Sequence, residues 1–80
     1  MKKNELVHLH ALLVRVAEDY VSRGIATPAD FVEYERLGVT PMALRAPRHE
    51  HERAVRTLAH VLARLSERAP ADAVEARARP

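Results

Sequence analysis

Residues 4–24, NELVHLHALLVRVAEDYVSRG, form the longest periodic segment of the chain and decide its fold class. Apolar residues recur there at spacings of three and four, which is typical of one face of an amphipathic helix: Leu6, Leu9, Leu13, Ala17 and Tyr20. Asn4 is a good N-cap and Gly24 suits the position just beyond a helix end. We therefore predict a first helix from about Asn4 to Arg23.

The next segment carries the signals of a short second helix. Thr27 is a candidate N-cap, Pro28 fits the first helical position, and Asp30 at the third position completes a variant of the capping box. Gly38 should stop the helix. Its short apolar face consists of Phe31, Tyr34 and Leu37. Residues 39–46 then read as an irregular, extended connection, since each of its two neighbouring prolines disfavours helix in the preceding residue.

A third helix is predicted to start at Pro47 or Arg48 and to run to about Arg68. Its apolar stripe has helical spacing: His51, Val55, Leu58, Leu62 and Leu65. The pattern predicts an all-α, three-helix domain over residues 1–68, with long, short and long helices, and a flexible or frayed tail over residues 69–80. The connection lengths favour roughly parallel first and third helices.

Composition narrows the class of protein. Eighty residues allow one domain, and the absence of cysteine excludes disulfides and fits a cytoplasmic protein. The 13 basic and 11 acidic residues give a net charge of +2, which is too small to indicate a nucleic-acid or membrane surface by itself. We see no signal peptide and no apolar stretch long enough for a membrane span. Ser22 and Ser66 lack a nucleophile motif, so we expect a protein that is not an enzyme.

Successive residues of an α-helix lie about 100° apart around its axis, so the residue number shows which way each of the five histidines points. His10 and His51 fall on the apolar faces of the two long helices, near their starts. His8, His49 and His60 fall on polar faces. If the two helices are parallel, His10 and His51 lie at the same level of the domain.

Two buried histidines at one level suggest a site for a divalent metal such as Zn²⁺, because neutral imidazole is the commonest metal ligand. Glu5, His8 and Glu50 are the candidate additional ligands. Glu5 and His8 share one helix face at i, i+3, whereas His8 and His10 point about 200° apart and cannot share one ion in a regular helix.

Other interpretations remain open at this point. His10 and His51 could bond each other or a backbone carbonyl in the core. The positive helix N-termini, with basic residues beside them, would equally suit an anion: Lys2, Lys3, Arg45 and Arg48. A basic face on the third helix could contact nucleic-acid phosphates, although a solvated face is the simpler explanation: Arg53, Arg56, His60 and Arg64.

The apolar arc of the first helix spans more than half its circumference, wider than one core-facing stripe needs. Two partner helices, one of them short, would leave part of that arc in water. Exposed apolar patches of this kind mark interfaces, so we expect self-association, most simply a homodimer.

The opening residues KKNELVHLHALL (2–13) resemble the start of a small archaeal family known as uncharacterised protein family number fifty-eight, often labelled metal-binding. The similarity continues through Glu33-Tyr34, Leu37-Gly38-Val39 with Pro41, and Glu50-His51 followed by Ala54-Val55, and covers about residues 2–65. It implies roles for Glu5, His8, His10 and His51. Where we expect a basic residue and then Glu after His51, this chain has Glu52 and then Arg53, which removes an acidic ligand at that position.

Overall fold

The computed structural model describes residues 1–68, which contain three α-helices and no strand. Helix α1 spans Lys3–Ser22, α2 spans Val32–Glu35 after a 3-10 turn at Pro28–Phe31, and α3 spans Arg48–Arg68. The all-α class and the order of long, short and long helices are confirmed. The tail predicted for residues 69–80 lies outside the described residues.

Helix α1 begins earlier than predicted. Its N-cap is Lys2, whose carbonyl accepts the Leu6 N–H at 3.0 Å, so Asn4 lies inside the first turn and the prediction of an Asn4 cap is wrong. The other end follows the prediction, because Gly24 has φ +76° and its N–H donates to the Val21 carbonyl. A positive φ strains any residue with a Cβ, so glycine ends the helix here.

The predicted second helix is broken into the 3-10 turn and the single turn of α2. The Thr27 N–H donates to the Asp30 carboxylate at 2.8 Å, as in the predicted capping box. Phe31 leaves the helical region, with φ −107° and ψ 15°, and its side chain is buried. The bend at Phe31 therefore separates the two turns and sends the aromatic ring into the core.

The connection before α3 is folded into turns rather than extended, which corrects the sequence expectation. The Ala43 N–H donates to the Thr40 carbonyl and the Ala46 N–H to the Ala43 carbonyl, at 3.0 and 3.1 Å. Buried Val39 anchors the start of this segment. These local bonds satisfy backbone groups that an extended strand-like segment would leave to solvent.

The N-termini of α1 and α3 lie at the same end of the domain, so the two long helices run parallel. The Lys3 ammonium donates to the Leu44 carbonyl at 2.8 Å, and the Arg48 guanidinium donates to the Met1 carbonyl at 2.7 Å. The two helices pack along their length over an aliphatic core, which the ring of Phe31 closes. Its buried members include Ala17, Leu58, Val61, Leu62 and Leu65. Within residues 1–68, no helix combines the length and apolar character needed to cross a membrane.

Candidate functional site

The two histidines predicted to face the core meet inside the domain. His10 of α1 and His51 of α3 are both fully buried, with no exposed surface. His8, His49 and His60 are exposed, as their helical positions predict. Parallel packing of the long helices places the two buried imidazoles side by side, 5.3 Å between ring centres.

Hydrogen bonds determine which ring nitrogen of each histidine carries the hydrogen. His51 Nε2 lies 2.9 Å from the Ala43 carbonyl oxygen, which can only accept, so Nε2 carries the hydrogen. Neutral His51 therefore has a lone pair on Nδ1, and His10 Nδ1–H donates to it at 3.1 Å. His10 Nε2 is left as an acceptor, and the Tyr34 hydroxyl donates to it at 2.5 Å.

The result is a directional chain of three hydrogen bonds, which we call the histidine relay: Tyr34, His10, His51 and the Ala43 carbonyl. It links α2, α1, α3 and the connection before α3. Within residues 1–68, every buried side-chain nitrogen and oxygen has a hydrogen-bond partner. A buried imidazole without partners would be costly, so the relay explains how an aliphatic core accommodates two of them.

Burial disfavours the charged forms of His10 and Tyr34 in the relay. Loss of solvation, followed by the charge of His51, lowers the pKa of His10 below the usual 6.5 for histidine. Burial also raises the pKa of Tyr34 above its usual 10.0. Two protonated imidazoles would bring Nδ1–H against Nδ1–H, so the pair can share one proton between these atoms but cannot hold two. Desolvation therefore favours the neutral form of His10 within the relay.

The remaining candidate ligands do not join the pair. Glu5 and His8 are exposed on α1, and Glu50 is half-buried on α3. In the part of the chain from Met1 to Arg68, no three histidine or carboxylate side chains come together as a metal-binding group. The described residues thus supply two imidazole nitrogens that face each other at 3.1 Å, which is part of a metal ligand set and not a whole one.

Basic residues at the same end of the domain are engaged by protein groups. Lys3 donates to the Leu44 carbonyl, while Arg48 donates to the Met1 carbonyl and also pairs with Glu52 at 3.0 Å. These contacts hold the starts of the long helices together. They leave less of this positive charge available to an anion.

The basic face of α3 is exposed as predicted, with Arg53, His60 and Arg64 in solvent. Arg56 is also exposed and pairs with Glu52 at 3.0 Å. Because Glu52 binds two arginines, it offsets part of the positive charge of this face. Phosphate binding by the α3 face stays a prediction.

Sequence reasoning missed two members of the relay. The sequence placed Tyr34 only on the apolar face of the second helix. A phenol that enters a core usually needs a hydrogen-bond partner, and that requirement was the available signal. The Ala43 carbonyl has no signal in the sequence, because any residue offers the same backbone oxygen. Its position depends on the turns that precede α3.

Comparison with known proteins identifies the family. Residues 1–79 match the family described as Uncharacterised protein family UPF0058, and the chain belongs to that family. A relative from Archaeoglobus fulgidus, named "UPF0058 protein", is 32% identical over 76 residues, covering 94% of this chain and 81% of the relative. No solved structure matches the chain.

Proposed function

We propose that this member of the UPF0058 family is a non-enzymatic protein that binds a divalent metal through the Nδ1 atoms of His10 and His51. One observation carries the proposal: the two Nδ1 atoms face each other while both Nε2 atoms are engaged by other groups. Metal-binding histidines usually have their second ring nitrogen bonded to a carbonyl or another polar group, which fixes the ring and its tautomer. His51 has that arrangement, with Nε2–H on the Ala43 carbonyl.

The spacing of the pair supports a shared ligand. The Nδ1 atoms are 3.1 Å apart. Two imidazoles bound to one tetrahedral zinc, with bonds of about 2.0–2.1 Å, have nitrogens roughly 3.3 Å apart. The distance between the two nitrogens, now bridged by a hydrogen, is therefore close to the nitrogen–nitrogen distance that a shared ion requires.

Binding requires one change of tautomer, which the relay can make. The Nδ1 lone pair of His51 accepts the His10 Nδ1–H bond and becomes available once that hydrogen moves. His10 would move its hydrogen from Nδ1 to Nε2, and Tyr34 would then accept from Nε2 instead of donating to it. Tyr34 is only half-buried, so its own hydroxyl hydrogen can turn towards solvent.

The pair alone leaves coordination positions to be filled, because zinc takes about four ligands. Water or a residue from another chain would fill them, and Glu5, His8 and Glu50 stay predicted contributors. Complete burial of both imidazoles implies that an ion enters only when the packed ends of α1 and α3 open locally. We therefore expect slow uptake that speeds up under mildly destabilising conditions.

Zinc titration of the untagged protein tests the proposal. Zinc should raise the melting temperature of the wild type, because an ion that binds only the folded state stabilises it by about 2.7 kcal/mol at a hundredfold excess over Kd. His51→Gln should abolish the rise. His60→Gln, an exposed histidine on the same helix, is the matched control and should respond like the wild type.

Nitrogen NMR of the imidazoles provides a second readout that does not depend on stability. Without zinc, the hydrogen of His10 should lie on Nδ1 and that of His51 on Nε2. With zinc, the hydrogen of His10 should appear on Nε2. A wild type that shows no change in melting temperature or tautomer would overturn the proposal and leave the relay as a structural element, and equal binding by His51→Gln would overturn the residue assignment.

A further inference from the structure

We propose that a cleft between α1 and the short second segment, residues 28–35, is a binding site for a small organic cation: an ammonium group that carries an aliphatic chain. The cleft has a volume of about 350 Å³, within the roughly 300–1,000 Å³ typical of small-molecule sites. Its walls combine apolar side chains, two aromatic rings and two unpaired carboxylates. Neither His10 nor His51 lines the cleft, so the proposal does not depend on metal binding.

The cleft lies where the second segment leaves part of α1 uncovered. Val14, Ala17 and Val21 recur at spacings of three and four and form one apolar face of α1. The 3-10 turn and α2 opposite this face are only four residues each, and Val14 and Val21 stay half-buried. Leu58 of α3, which is 1% exposed, also lines the cleft. An aliphatic chain bound there would remove this apolar surface from water.

Two aromatic side chains of the second segment line the same cleft. Phe31 is buried and Tyr34 is half-buried. The face of an aromatic ring is negative and attracts ammonium groups, more strongly where water is excluded. The Tyr34 hydroxyl donates its hydrogen to His10 Nε2, so its oxygen keeps lone pairs that can accept a hydrogen bond from an ammonium.

Two carboxylates give the cleft its charge. Glu18 shares the apolar face of α1, four positions after Val14, and Glu35 stands four positions after Phe31; both line the cleft and are exposed. Within residues 1–68, neither takes part in an ion pair, and none of the residues that line the cleft is basic. The whole protein has a net charge of +2, so this attraction for a cation is local to the cleft.

NMR titration of the full chain with hexylammonium chloride tests the site. For a ligand of this size we expect a Kd of about 1 mM, with the largest shifts at the methyl groups of Val14, Val21 and Leu58. Hexan-1-ol has the same chain without the charge and should bind about fivefold more weakly. Hexanoate, which reverses the charge, should cause no shift at these methyl groups.

Variants separate the charge of the cleft from its shape. Glu18→Gln plus Glu35→Gln should weaken hexylammonium binding about fivefold and leave hexan-1-ol binding unchanged. Val14→Phe should fill the cleft and abolish binding of both ligands. Glu33→Gln plus Glu67→Gln is the matched control, because it removes two exposed carboxylates outside the cleft and should bind like the wild type.

Several results would overturn the proposal. These are no methyl shifts with hexylammonium at ten times the expected Kd, or equal binding of hexylammonium and hexanoate. Unchanged binding by Val14→Phe, with helix content by circular dichroism verifying its fold, would place the ligand elsewhere. Equal losses in the two double-glutamine variants would show that overall charge, and not the cleft, attracts the cation.

Discussion

Removing one hydroxyl from the histidine relay should destabilise the domain by an amount that the hydrogen bonds determine. In Tyr34→Phe, His10 Nε2 loses the hydroxyl that donates to it. The relay cannot reverse to compensate, because the Ala43 carbonyl can only accept and so keeps the hydrogen of His51 on Nε2. His10 is fully buried, so its Nε2 lone pair is left in the core without a partner.

The cost of a buried unsatisfied acceptor is about 1–3 kcal/mol. For a domain of this size, each kcal/mol lowers the melting temperature by about 4–8 °C. Urea unfolding followed by circular dichroism measures the change, and the slope with denaturant should stay constant since the fold is unchanged. Ser66→Ala is the control: it removes an exposed hydroxyl that bonds the Ala63 carbonyl at 2.8 Å, and should cost far less.

A double-mutant cycle separates the hydrogen bond from other effects of the tyrosine. In a His10→Leu background, residue 10 has no acceptor that could be left without a hydrogen bond. Tyr34→Phe should therefore lower the free energy of unfolding much less than it does in the wild type. An equal cost in both backgrounds, or a cost below about 0.5 kcal/mol in the wild type, would refute the assigned tautomers.

Further predictions concern pH, the helix end, the core and α3. The pKa of His10 is lowered in the folded state, so the unfolded state binds more protons below about pH 6.5; stability should fall as pH drops through that value, and a melting temperature that rises towards acid would contradict this. Gly24→Ala should cost about 1–2 kcal/mol in urea unfolding, purely from the φ of +76°, since an added Cβ meets no atom within 4 Å. Leu58→Ala, at a side chain with 1% exposure, should cost about 2–5 kcal/mol by the same measurement. If the basic face of α3 binds nucleic acid, binding should weaken with salt and be lost on Arg53→Ala plus Arg56→Ala, and no binding at low salt would remove that function.

Much of the fold follows from local signals. Apolar residues spaced three and four positions apart predicted the two long helices. Gly24 marked the end of α1, and Thr27 with Asp30 marked the start of the short second segment. These features depend on residues within one or two turns of each other, so the sequence carries them directly. The same local rule failed at Asn4, because the helix starts at Lys3 and its N-cap is Lys2, two residues before the predicted cap.

The sequence by itself also determined which histidines are buried, because direction around a helix axis follows from residue number alone. It could not determine which atoms of His10 and His51 meet, since that depends on the relative height of two helices and on side-chain rotamers. Tyr34 and the Ala43 carbonyl entered the relay only through the bend at Phe31 and the turns before α3. Tertiary packing decided those contacts, because hydrogen bonds between segments far apart in sequence form only where the core brings buried polar atoms within reach of each other.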